Sequence, residues 1–198
     1  MLEVKIFTLY PDLFPGPLDM GIYKKAKENK IWDIRVINIR DYSTDGRGSV
    51  DDTPFGGGSG MLLRPDVVAS ALDKNTKPGE KIIYLSPKGR KFDQREARSI
   101  SKINKINILC GHFEGIDQRL LETRNIEEYS LGDFILSGGE TASFVFVDAL
   151  IRLLPGVLGN EESNKEESFE NYLLEHPQYT KPKDWEGKSP PDILFSGD

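Results

Sequence analysis

An α/β fold with a mostly parallel sheet flanked by helices is predicted by three features of the sequence. Short β-branched apolar runs alternate with helix-like stretches, the pattern of βαβ units. Two of the runs, Ile82-Ile83-Tyr84-Leu85 and Ile106-Asn107-Ile108-Leu109, are apolar with little alternation, as expected of strands covered on both faces. The 198 residues are enough to bury a core without disulfides or a metal.

The first strand is expected at Val4–Leu9. The segment around it, Met1 to Tyr10, carries Glu3 and Lys5 within an alternating apolar run. It lacks the basic region, continuous apolar core and small-residue cleavage site of a secretion signal. A helix is expected at about Leu18–Asn29 and a second strand at Ile34–Ile39, followed by a long Gly- and Asp-rich loop, Arg40–Gly60. Loops of that length in a compact domain are usually functional or disordered. Then come a strand at Lys81–Ser86, a helix at Asp93–Ile103, a strand at Ile106–Cys110 and a helix at Asp117–Thr123. The two unalternating strands belong at the sheet centre. Ser137-Gly138-Gly139-Glu140 reads as a capping box, the serine capping amides of the next helix and the glutamate reaching back. That helix, Glu140–Leu154, is apolar around most of its circumference and is expected to be buried nearly all round. It is either central or a subunit interface, the interface being the preferred reading. Pro155-Gly156 ends it, and Leu158–Ser168 is acidic with no apolar period.

Composition narrows the function classes. A hydrophobic fraction of 37% and a charged fraction of 29% predict a cytosolic globular protein, and no apolar run approaches the roughly 20 residues of a membrane span. The one cysteine, Cys110, excludes an internal disulfide and a cysteine-cluster metal site, and its neighbours Ile108 and Leu109 make it a buried small hydrophobe. The net charge of −6 argues at first against a nucleic-acid partner. Residues 161–198, however, hold 4 Lys+Arg and 10 Asp+Glu, so the whole excess lies there and residues 1–160 are neutral. Lys88, Arg90, Lys91, Arg95 and Arg98 cluster in one strand-to-helix segment, as a basic groove or as a solvated helix face.

No phosphate-binding GxxxxGK[ST] loop, HExxH pair or GxSxG elbow occurs, so nucleotide hydrolysis, zinc proteolysis and α/β-hydrolase chemistry lack their usual signals. Pro11 and Asp12 stand where a dinucleotide fingerprint would need its first glycine. Glycine concentrates in three other places: Gly56 to Gly60, Cys110 to Gly115, and Ser130 to Gly139. Glycines at strand ends either make tight turns or let a flat ligand approach the backbone. Gly111 and Gly115 follow a central strand, the end of an open sheet where ligands sit.

Five segments taken together carry a family resemblance: Val50-Asp51-Asp52-Thr53-Pro54-Phe55-Gly56-Gly57-Gly58-Ser59-Gly60-Met61; Tyr84 to Arg90; Cys110 to Arg119; Ser130 to Glu140; and Pro155 to Gly159. In order and spacing the chain resembles the bacterial tRNA (guanine-N1)-methyltransferases, from Met1 to Ser196-Gly197. The resemblance implies a fold of the SPOUT class, its C-terminal part of the sheet threaded as a deep trefoil knot, an exception to the rule against knots. It implies a homodimer with each active site completed by the partner, and tRNA as substrate. It implies S-adenosylmethionine held by Tyr84, Leu85, Ser86 and Pro87; by Gly111, Phe113, Glu114 and Gly115; and by Ser130, Leu131, Gly132, Asp133, Phe134, Ile135, Leu136, Gly138 and Gly139. Asp51, Asp52, Gly57 and Gly58 are implied on the substrate side. The acceptor would be N1 of guanosine-37, immediately 3′ of the anticodon. No metal is implied by the residues, because no carboxylate cluster has diagnostic spacing.

The methyl donor is an activated sulfonium, so such an enzyme positions an in-line attack and removes the N1 proton. By resemblance, Glu167 in Glu167-Ser168-Phe169 takes that proton where the family has aspartate, and Arg152 stabilises charge on the guanine O6. Each has a plainer reading: Arg152 lies four residues after Asp148 and pairs with it, and Glu167 belongs to a solvated acidic stretch. The expected organisation is a catalytic domain over 1–159, an acidic linker over 160–168, and the start of a tRNA-gripping helical domain over 169–198. The chain ends where the family continues into further helices, so a truncated C-terminal segment is expected. Phe55 and Phe113 replace family tyrosines, keeping ring stacking without the hydroxyl, and Gly46 and Arg47 depart from the family's basic-histidine pair. Glu167 and the short tail together motivate an alternative, a protein that binds cofactor and tRNA with little turnover.

Overall fold

The computed structural model describes residues 1–158 and 177–196. The chain divides into two compact units, Met1–Glu161 and Glu162–Asp198. In chain order the described elements of the first are β1 (Leu2–Thr8), α1 (Gly21–Glu28), β2 (Trp32–Asn38), β3 (Asp51–Asp52), β4 (Leu62–Leu63), α2 (Pro65–Asn75), β5 (Lys81–Lys91), α3 (Gln94–Ile100), β6 (Lys105–Leu109), α4 (Gln118–Thr123), β7 (Glu127–Ser130) and α5 (Gly139–Ile151). Five strands form one sheet in the order β2-β1-β6-β5-β7, every pairing parallel. β3 and β4 make a separate antiparallel pair. The described part of the second unit holds a Trp185–Lys188 bridge and a 3-10 turn over Asp192–Phe195.

Both faces of the sheet are covered, which is why β5 and β6 do not alternate. Val4, Ile6, Ile83, Leu85, Ile106 and Ile108 pack with Ala97 and Ile100 of α3 and Phe146, Val147 and Leu150 of α5. Phe7, Ile37, Ile82, Tyr84 and Leu109 pack on the other side with Val67, Val68, Ala71 and Leu72 of α2 and Leu120 and Leu121 of α4. Burying each of the Val, Leu, Ile and Phe side chains contributes about 1.5–3 kcal/mol. β6 is the central strand and β5 lies beside it, as expected. Asp93 and Asp117, where the sequence predicts helix starts, are N-caps whose carboxylates accept from Glu96 and Arg119 main-chain amides.

Several expectations are corrected. The helix expected over Leu18–Asn29 is a 3-10 turn, Gly16–Asp19, then α1, with Gly21 at φ +54° at the junction. The strand expected to stop at Ser86 bulges between Leu85 and Arg90 and resumes against Tyr129 and Ser130 of β7. The capping box does not form: the N-cap of α5 is Gly138, with no side-chain cap bond. Glu140 instead turns into the interior, because Thr8 and His112 offer its carboxylate partners there. Within the single chain α5 leaves Thr141 and Val145 exposed. The helix also stops at Ile151, short of Leu154. Among the described residues, no helix is long and apolar enough to cross a membrane.

Candidate active site

A cleft, partly open to solvent, lies at the bulge of β5 and the carboxyl ends of β6 and β7, beside the start of α5. Three chain segments converge there. The first is the β5 bulge, which keeps Tyr84 and Leu85 in the sheet, buries Ser86 and turns Pro87 and Lys88 outward along the rim; Ser86 Oγ holds the bulge by accepting from the Lys88 amide at 3.2 Å. The second is the turn after β6, with Gly111, Phe113, Glu114 and Gly115. The third is the stretch after β7: Ser130, Leu131, Gly132, Phe134, Ile135, Leu136, Gly138 and Gly139. Thus the structure brings the residues expected at the cofactor into one cleft, with the exception of Asp133, which is exposed and does not line it.

Glycine is required where these segments touch. The Tyr84 ring lies over Gly111, and a Cβ there would sit 2.5 Å from Tyr84 Cε2. A Cβ on Gly139 would sit 2.7 Å from Cys110 Cα, so only glycine lets the start of α5 reach the end of β6, where the Gly139 amide donates to Gly111 O at 2.9 Å. The walls therefore present main-chain groups beside apolar surface from Leu85, Leu131 and Ile116, a surface suited to a flat heterocycle with polar edges. Burial, and then the charge of Glu128, push the Tyr84 phenol up to about 12, so at neutral pH it is a donor. Burial, and then Glu140, push the Cys110 thiol well up; a thiol of that kind is not a nucleophile.

The cleft also holds residues outside the sequence expectation. His112 lines it, with Nε2 2.7 Å from Oε2 of buried Glu140. Lys88, Glu128 and Tyr129 line it too. His112 sits inside the Cys110–Gly115 motif, so its position was legible; its pairing with Glu140 was hidden by the capping-box pattern. Of the basic cluster, Arg90 bonds Glu127 at 2.9 Å and lies 4.4 Å from the ring centre of buried Tyr129.

Asp51 and Asp52 form β3, and Gly57 and Gly58 lie in the exposed loop between β3 and β4. None of the four lines the cleft. They are hung from its edge, however: the Leu63 amide donates to Gly115 O at 3.0 Å and the Glu114 amide to Met61 O at 2.9 Å. Arg152 follows α5 as its C-cap and is not among the residues lining the cleft of its own chain. Asp148, one turn earlier, accepts from the Tyr23 hydroxyl at 2.8 Å, and the Arg152 charge acts on that hydroxyl. Glu167 lies outside the described residues.

Comparison with known proteins gives the family. The family described as tRNA (Guanine-1)-methyltransferase TrmD matches residues 2–198. The tRNA (guanine-N(1)-)-methyltransferase of Pelagibacter ubique (strain HTCC1062) is 64% identical over 198 residues, all of this chain and 87% of that protein. Proteins of the same name from Bartonella tribocorum and Brucella canis are 51% and 50% identical over 195 residues, 98% of this chain and 84% and 80% of theirs.

Proposed function

Because the chain belongs to the tRNA (guanine-1)-methyltransferase TrmD family, it is a tRNA (guanine-N1)-methyltransferase, and we propose the following assignment of its parts. The methyl group passes from S-adenosylmethionine to N1 of guanosine-37 in tRNA. The donor binds in the cleft between the β5 bulge, the Gly111–Gly115 turn and the Ser130–Gly139 stretch. The convergence of those three segments is the observation that carries this reading. Bound S-adenosylmethionine supplies an activated methyl on a sulfonium. The chain's own task is to hold the two reactants in line and to take one proton.

In this reading Tyr84, Gly111 and Gly139 shape the floor, and main-chain groups of Gly111, Gly115 and Gly138 recognise the polar edges. Asp51, Asp52, Gly57 and Gly58 face the tRNA. Glu167 removes the N1 proton, and Arg152 stabilises negative charge on O6. The absence of Arg152 from the lining of its own chain's cleft supports a homodimer in which each site takes its arginine from the partner. The exposed apolar side chains of Ile135 (80%) and Val145 (55%) support the same reading. The Gly139–Gly111 bond, which returns the chain to the end of β6 after the β7 edge, supports a knotted path for residues after β5. Residues 169–198 would open the tRNA-gripping domain after the 160–168 linker, and a tRNA substrate makes the cytoplasm the site of action.

The test compares methyl incorporation into two anticodon stem-loop transcripts, one with guanosine and one with adenosine at position 37. Incorporation into the guanosine transcript alone, lost in Glu167→Ala, is expected. Equal incorporation into both transcripts sinks the proposal. Cofactor binding without any transfer would favour the alternative, a binding protein with little turnover.

A further inference from the structure

Glu140 is only 3% exposed, and both of its carboxylate oxygens are engaged across the fold. Oε1 accepts from Thr8 Oγ1 at 2.5 Å, and Oε2 meets His112 Nε2 at 2.7 Å. Thr8 closes β1, is wholly buried, and accepts the Tyr10 amide at 2.9 Å. Glu140 itself stands in the first turn of α5, where the helix dipole favours a negative charge. His112 follows β6 and also packs edge-on against the Tyr10 ring, centroids 4.9 Å apart. One carboxylate therefore ties together the ends of β1 and β6 and the start of α5.

The consequence falls on the cleft wall. The His112 ring abuts Gly138, where an added Cβ would lie 2.2 Å from Cε1. Gly138 ends the 131–138 stretch that forms one side of the cleft. We propose that the Thr8–Glu140–His112 chain is the positioning device of this cleft: it fixes the imidazole in one orientation, and the imidazole sets the Gly138 turn. His112 Nε2 is engaged by the Glu140 carboxylate at 2.7 Å. His112 acts here as a positioning residue, through this pair and through its contact with Gly138. Removing the imidazole leaves one carboxylate oxygen buried without a partner and the Gly138 turn without its support, which is costly at the site itself. This proposal rests on the reading of the cleft as the S-adenosylmethionine site.

Its test is calorimetry with S-adenosylhomocysteine as probe on the wild-type chain and on H112A, H112Q, T8V and T8S, with melting temperatures measured alongside. H112A is expected to weaken binding about tenfold or more, the scale of one hydrogen bond to a charged group, and T8V in the same direction. T8S keeps the hydroxyl and H112Q keeps an N–H for Glu140, so both return most of the affinity. In the methylation assay KM for the donor rises more than KM for tRNA. Unchanged affinity in H112A, or equal weakening in T8V and T8S, overturns the proposal. If H112A does not fold, the T8V and T8S pair decides it. A wild-type chain that binds no probe overturns the cofactor reading and this proposal with it, whereas wild-type binding with unaltered variants overturns this proposal alone.

Discussion

Tyr84 joins the core to the cleft: its ring packs among Val67, Val68 and Leu109, and its edge covers Gly111. Burial first, then Glu128, raises its phenol to about 12, whereas in the unfolded chain it titrates near the ordinary value of about 10. The sign of the effect on stability follows. Below pH 10 the proton is present in both states and the contribution is intact. As pH rises from 10 toward 12 the unfolded chain loses the proton first, and stability falls, by about 1 kcal/mol at pH 11. Tyr129, raised to about 12 by burial above all, adds a similar decline. Urea unfolding of the wild type and Tyr84→Phe at pH 9 and pH 11 is expected to show a smaller loss in the variant; equal losses would contradict the assignment. Legibility at this scale was uneven. Gly111 stood out as a glycine after a central strand, but its reason, the tyrosine ring lying across it, comes from a residue 27 positions earlier, which local pattern does not connect.

At the scale of elements, α5 carries the most weight. Phe146 is fully buried, with its ring 4.3 Å from Phe92 and 6.0 Å from Tyr129, centroid to centroid. Phe146→Ala is expected to lower unfolding stability by about 3–5 kcal/mol, read as a shift in urea midpoint at constant slope. A loss below about 1 kcal/mol would mean that the helix is held elsewhere. The central strands and α5 were legible because apolar composition over several residues survives any detail of packing. Three features were not. β7, Glu127-Glu128-Tyr129-Ser130, is short and polar, stabilised by partners such as Lys81, which pairs with Glu127. The bulge in β5 depends on Gly89 fitting against the Tyr129 main chain, where a Cβ would come within 2.4 Å of its nitrogen. α2 did carry a signal, Pro65 at its first position and Val67, Val68, Ala71 and Leu72 at helical spacing, but it stood in the shadow of the glycine-rich loop before it.

For the whole molecule, the apolar side chains left exposed beside the cleft argue for a second copy. Sedimentation velocity is expected to give twice the chain mass of 22.3 kDa, and Val145→Asp to shift it toward the single chain; a monomeric wild type would overturn the dimer reading. The lining of the cleft was largely legible because it comes from three short, ordered motifs. The rest was not, since the β3–β4 loop is joined to the cleft by main-chain bonds that no side chain announces. Those bonds, Leu63 to Gly115 and Glu114 to Met61, have a thermodynamic meaning. A ligand that displaces Glu114 and Gly115 displaces the β3–β4 loop with them. By linkage, whatever factor the donor then imposes on tRNA affinity, tRNA imposes on donor affinity, so the affinity measured for either one would report the presence of the other.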